Sequence, residues 1–293
     1  MRILSISTGR ADVGHLEPVW REILNGEGWE LKILAMSSDE LELESKGYTP
    51  RPVGDVSGYP GNPERGDDSP AGIARNMAQG VRCAAWAYNR VTPDLILLAG
   101  DRVEALAAVS ATLPFGIPVA HIGGGDETTG SYDNQIRHAI TKMAHLHFVA
   151  HEEAKARVLA MGEEKWRVHE TGLPSLDGIR EWLERNGDSE ERGEELVVIF
   201  HPPTLELDTA EEQARELGKA LAAIGRPVKG FVPGHDVLHD RVKCALIHEC
   251  KGLPCQWVLY EAPVDFYRTL SHAACLVGNS SAGVIEACSF GLP

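Results

Sequence analysis

At 293 residues the chain exceeds one average domain, so two domains sharing a cleft are the expected organisation. Apolar residues make up 43% of it, ample for real cores, and a formal net charge of −15 argues against a nucleic-acid binder. An anion site in so acidic a protein must be a local exception, built from a few Arg and His side chains and helix N-termini.

The chain opens on RILSIS, a strand with no signal-like apolar segment before it, and no apolar run approaches transmembrane length. Together these predict a soluble cytoplasmic protein that does not engage a membrane. Residues 14 to 25 read as a helix and ELKILAM as a strand, followed by a polar, loop-rich stretch at 50 to 70. A long helix over about 70 to 91 leads to DLILLAG, then a helix over 103 to 112 and the strand IPVAHIG. QIRHAITKMAH and HEEAKARVLAMG read as helices on either side of the strand LHFVA, the second closed by glycine. Residues 176 to 195, polar and charged, are the best candidate linker. Beyond them the alternation restarts with ELVVIFHPPT, a helix over 209 to 224, and later CLVGNSSAG. Short buried strands alternating with helices predict parallel sheets covered on both faces, with functional loops at the carboxyl ends of the strands. The six cysteines contain no C-x-x-C pair and read as free thiols in a reducing compartment.

Four strand-end loops could carry chemistry. In STGRAD a strand runs into Gly9 and then a helix, an anion cradle to which Arg10 could add a bidentate grip. The pattern is neither G-x-G-x-x-G nor a P-loop, so neither NAD nor ATP is indicated. In LLAGDRVEA, Asp101 and Arg102 stand at the mouth of the sheet, as site residues or as a mutual ion pair capping the next helix. HIGGGDETTGSYDNQIRHA places Gly123, Gly124 and Gly125 where backbone can pass close to a ligand. Asp126, Glu127 and Asp133 follow in the loop, with Arg137 and His138 opening the helix. Closely set carboxylates push one another's pKa apart, which lets one site hold an acid and a base; a solvated acidic loop with Asp133 as helix cap is the alternative. The nearby His145, His147 and His151 lack H-E-x-x-H spacing, so no metal is expected. Last, VGNSSAGVIEA sets Ser280 and Ser281 at a helix N-terminus suited to phosphate, with Glu286 placed to accept bonds from ribose hydroxyls. His201, in HPPT, ends another strand.

TGRAD, GDRVEALA, HIGGGDETTGSYDNQIRHAITKMAHLHFVA, HPPTLE and VGNSSAGVIEACSFGLP together resemble the hydrolysing UDP-N-acetylglucosamine 2-epimerases of sialic-acid and related pathways. The resemblance implies an α/β, glycosyltransferase-B-like fold: two Rossmann-like domains, 1–177 and 178–293, facing a cleft, with the second incomplete at its C-terminus relative to the family. It implies conversion of UDP-N-acetylglucosamine, or a deoxy, diamino relative, and water into UDP and the free 2-epimeric sugar, with no cofactor and no metal. Homo-oligomers, dimers or tetramers, are expected. The expected catalytic set is Asp101, Asp133, Asp126 and His201. Arg10, Arg102, Glu127, Arg137, His138, Ser280, Ser281 and Glu286 are expected to bind substrate, His201 also matching a position that holds UDP. Gly123 departs from a family position often filled by a carboxylate or histidine. A non-hydrolysing 2-epimerase and a catalytically impaired nucleotide-sugar binder are therefore the alternatives. The 50 to 70 loop is the expected reader of the sugar's C4 and C6 substituents.

Overall fold

In the computed structural model the described residues are 1–36, 50–52, 67–187, 191–232, 237–258 and 262–293. The chain divides into two compact units, one of Met1–Gly66 with Ala74–Ser175 and one of Asp67–Ile73 with Leu176–Pro293. The loop expected to read the sugar substituents lies largely outside the described residues.

The first unit is built on a seven-stranded sheet whose neighbouring strands all run parallel. Its strands are β1 (Arg2–Ser7), β2 (Glu30–Ala35), β3 (Pro50–Pro52), β4 (Leu95–Ala99), β5 (Val119–Ile122), β6 (Leu146–Val149) and β7 (Val168–Glu170), in the order β3-β2-β1-β4-β5-β6-β7. Successive strand residues go to opposite cores: Ile96 and Leu98 of β4 join one cluster, Leu97 and Ala99 the other. Strands buried on both faces need continuous apolar runs, and LILLA supplies one. Helix α1 (Arg10–Asn25) covers one face with Val13, Leu16, Trp20 and Ile23, all buried at the three- and four-residue steps of one helical stripe. Trp20 Nε1 donates to Ser5 Oγ at 2.8 Å, which satisfies the one polar atom of that buried ring. The opposite face is covered by α2 (Pro70–Val91), α3 (Val103–Thr112) and α4 (Asp133–Met143). Helix α1 starts at Arg10, a turn earlier than its apolar pattern suggests, because Asp12 takes hydrogen bonds from the Thr8 amide and hydroxyl, each 2.7 Å, and organises the turn from β1.

The second unit has four parallel strands, β8 (Leu196–Ile199), β9 (Val228–Phe231), β10 (Cys255–Val258) and β11 (Cys275–Gly278), in the order β10-β9-β8-β11. Leu196 and Val198 pack with α7 (Ala210–Ile224) and α8 (His239–Glu249), while Val197 and Ile199 pack with α9 (Pro263–His272). The linker expected over 176 to 195 is corrected here. Residues Pro174–Asn186 form helix α6, whose Ile179 and Trp182 are buried in the second unit's core. Two apolar residues three apart anchor an otherwise charged helix, and Arg192 beyond it donates to the Ser271 carbonyl at 2.8 Å. Among the described residues no helix is long and apolar enough to cross a membrane.

Candidate active site

The first unit's order reverses direction between β1 and β4, the point where open parallel sheets present ligand sites at their carboxyl edge. Loops from β1, β4, β5 and β6 meet there. The side chain of Arg102 runs beside Gly9, where an added Cβ would stand 3.9 Å from Arg102 Cδ, and its Nε lies 3.3 Å from Glu104 Oε2. Asp101 does not pair with its neighbour Arg102 in this way. Its carboxylate is held by Arg137 of α4, whose side chain is only 8% exposed. Three further guanidinium hydrogens go to the Asp126 carbonyl at 2.9 Å, Asn134 Oδ1 at 3.2 Å and Thr128 Oγ1 at 3.2 Å. Burial, and then the neighbouring Arg157, bring the Arg137 pKa down to about 10, which leaves it charged at neutral pH. Arg137 thus holds a carboxylate in place, with its donors directed into the protein.

The glycine loop is fixed by protein rather than left open for a ligand along its whole length. Gly125 has φ +84°, and a Cβ there would come 2.4 Å from the Ala154 carbonyl oxygen. A Cβ at Gly124 would meet His121 Nδ1 and Thr141 Oγ1 at 3.1 Å, whereas one at Gly123 would meet nothing nearer than the Gly100 amide at 4.0 Å. Of the three, only Gly123 has room for a side-chain carbon among the described residues. Asn134 closes the far end, accepting from the Thr128 amide at 2.7 Å and donating to its carbonyl at 2.9 Å.

Glu127 pairs with Arg157 at 3.0 Å and is the exposed member. Asp133 begins α4, with its amide donating to Ser131 Oγ at 3.2 Å; the residue at the cap position is Tyr132. Asp126 is half-buried, and burial pushes its carboxyl up against the downward pull of His151 and Arg157. His138 is pushed down by burial, then by Arg137 and Arg157, and its Nδ1 is shut off from solvent with no hydrogen-bond partner among the described residues. His151, absent from the expected set, lies with Nε2 3.1 Å from Asp126 Oδ1. Of Arg10, at the start of α1, only the backbone is described.

In the second unit Asn279 ties two strand-end loops together. Its Oδ1 accepts from the His201 amide at 2.7 Å and its Nδ2 donates to the His201 carbonyl at 2.9 Å. This joins the carboxyl ends of β8 and β11, neighbours in the sheet. Gly278 is required for that approach, since a Cβ would fall 1.8 Å from the Ile199 carbonyl oxygen. Ser280 Oγ accepts from the Ala282 amide at 3.3 Å and caps a 3-10 turn over Ser281–Gly283. The helix expected after NSSAG is the single turn α10 (Glu286–Ser289), which Glu286 starts. His201, Ser280, Ser281 and Glu286 are thus gathered on adjacent loops of one sheet edge. Elsewhere in this unit Asp68, His239 and Asp240 carry potential metal-ligand atoms. Asp68 Oδ2 accepts from the Asp240 amide at 3.3 Å and Lys243 pairs with Asp240, which reads as a cap for α8.

Residues 64–293 match the UDP-N-acetylglucosamine 2-epimerase family. The chain belongs to that family. It is 30% identical to the UDP-N-acetylglucosamine 2-epimerase of Neisseria meningitidis serogroup B, an alignment covering 100% of this chain and 78% of that protein. It is 33% identical to the hydrolysing UDP-N,N'-diacetylbacillosamine 2-epimerase of Legionella pneumophila over 70% of this chain and 56% of that one. The fold is that of a solved family member, the N. meningitidis UDP-GlcNAc 2-epimerase bound to UDP-GlcNAc, with a TM-score of 0.81 at 16% identity, covering 100% of this chain and 81% of the other. The glycosyltransferase-B-like α/β class inferred from the motifs is therefore the fold of this chain.

Proposed function

We propose that the chain is a hydrolysing 2-epimerase that takes UDP-N-acetylglucosamine, or a UDP-2-acetamido sugar modified at C4 and C6, to UDP and the free 2-epimeric sugar. The observation that carries the reading is Asp101, fixed at the sheet edge by the buried Arg137, which also holds the Asp126 carbonyl on the adjoining loop, with Asp133 at the start of the same helix as Arg137. The hydrolysing Legionella relative supports the reaction type.

The chemistry accounts for these residues. A proton on C2 of the sugar is weakly acidic, so its removal needs a positioned base and a stabilised leaving group. Asp101, oriented by Arg137, or Asp133 takes that proton; the C2–H electron pair forms the C1=C2 bond as the C1–O bond to UDP breaks. His201, Ser280, Ser281 and Glu286 of the second unit hold UDP, the backbone amides of that sheet edge bearing the charge that develops on the diphosphate. Water then adds at C1 of the 2-acetamidoglucal and a proton is delivered to C2 from the opposite face, which inverts that centre. Gly123 supplies no side chain for proton transfer; of the two carboxyl groups that follow it on the loop, Glu127 is exposed and paired with Arg157, and the half-buried Asp126 takes the step.

The test is incubation with a panel of UDP-2-acetamido sugars in deuterated water. The reading expects equal amounts of UDP and free sugar, with deuterium at C2. A product still attached to UDP would make the enzyme a non-hydrolysing epimerase, and UDP binding with intact substrate would make it a binder.

A further inference from the structure

His151 stands at the N-cap of α5 (Glu152–Ala160), and its Nδ1 accepts a hydrogen bond from the Ala154 amide at 3.3 Å. A ring nitrogen that accepts carries no hydrogen, so the neutral imidazole has its proton on Nε2. The helix cap thereby fixes the tautomer. Nε2 faces Asp126 Oδ1 at 3.1 Å, a contact at ion-pair distance. Oδ1 is closed to solvent and has no hydrogen-bond partner among the described residues. The Asp126 backbone is held from the other side, its carbonyl accepting from Arg137 at 2.9 Å, the guanidinium that also grips Asp101. Asp126 and Asp101 are therefore linked through one buried cation, and the space beside Gly123 is unfilled.

We propose that His151 is a positioning residue for Asp126, aiming the carboxyl group that protonates C2 and stabilising its charge once the proton has gone. The inference rests on the hydrolytic reading above. The base first releases the C2 proton to solvent; in the addition step water oxygen then bonds to C1 and its surplus proton passes to that same carboxylate. The C1=C2 electron pair takes the Asp126 proton at C2, leaving a carboxylate opposite the Nε2–H. Solvent reprotonates Asp126 and the base gives this second proton to solvent as well; one of its two protons replaces the one Asp126 spent and the other balances the charge of the departed UDP, so the sum is substrate plus water giving UDP, sugar and one proton. Burial raises the Asp126 carboxyl, which favours its acid form before the step; the Nε2–H and the Arg157 charge favour the carboxylate after it.

The test separates cap from partner. In His151→Asn the side-chain oxygen can take the Ala154 bond, as Asn is a good N-cap, but Nε2 is lost. The expected result is an unchanged melting temperature, kcat lower by on the order of 10- to 100-fold, and the alkaline limb of the kcat profile moved to higher pH, because a carboxyl deprived of a donor to its anion holds its proton longer. Asp126→Asn is expected to lose at least as much, and adding His151→Asn to it to lose little more. Wild-type kcat and an unmoved limb in His151→Asn, or losses that multiply in the double variant, would overturn the inference. If the unaltered protein releases no UDP from any sugar of the panel, the hydrolytic reading fails first and this inference goes with it.

Discussion

Arg137 carries the greatest consequence of any single side chain in the first unit. It is buried, charged and shared between Asp101, a backbone carbonyl and two polar side chains. Arg137→Lys keeps the charge and loses the fork, so Asp101 loses its fixed orientation. Steady-state UDP release should show kcat down by about 10²-fold, the scale expected of a slightly misplaced catalytic group, with little change in KM. Gly125 makes a different demand. With φ +84° and the Ala154 carbonyl 2.4 Å from any Cβ, Gly125→Ala should lower stability by roughly 1–3 kcal/mol, read by urea unfolding. Asp101 and Asp133 stand in motifs that mark them as candidates in the sequence. The Asp126–His151 contact is not so marked, because it joins two loops after neighbouring strands and depends on which way a cap residue turns.

At the scale of elements, the strands β5 and β6 bury two histidines side by side, His121 and His147, which are register partners. His121 donates from Nε2 to the Gly100 carbonyl at 2.8 Å and so braces the turn that presents Asp101. Burial pushes its pKa down to about 4. His147 is pushed down as well, by burial, although Glu163 Oε2 lies 3.3 Å from its Nε2. Both rings are neutral in the native state, and the unfolded chain binds protons that the folded chain refuses. The contribution of His121 is therefore complete above the ordinary histidine pKa and is lost as pH falls from about 6.5 toward 4, and that of His147 declines in the same direction. For His121 alone the loss is on the order of 3 kcal/mol. Urea unfolding across that range should show the decline, and His121→Asn should flatten it; an equally steep decline in the variant would exclude His121 as its source. The alternation of strands and helices was legible because buried parallel strands leave short apolar runs. Helix α6 was not, since two apolar anchors in a charged stretch give too weak a period to set against its linker-like composition.

On the scale of the whole molecule, length and charge bounded the answer without giving it. The order of five motifs along the chain identified the family, because each motif closes a strand at the edge where a parallel sheet exposes backbone amides and side chains. What the motifs carry less well is the reaction's outcome, since releasing or retaining UDP depends on whether water reaches C1 of the intermediate. The central claim is that aspartates on the first unit's sheet edge drive elimination of UDP and that water then traps the product. Proton NMR of UDP-N-acetylglucosamine and UDP-N,N'-diacetylbacillosamine with the protein in deuterated water tests it most directly. For at least one of them, UDP and free 2-epimeric sugar should appear together, the sugar deuterated at C2, and Asp101→Asn should abolish both. Release of UDP with protium kept at C2, or a 2-epimer still bearing UDP, would contradict it.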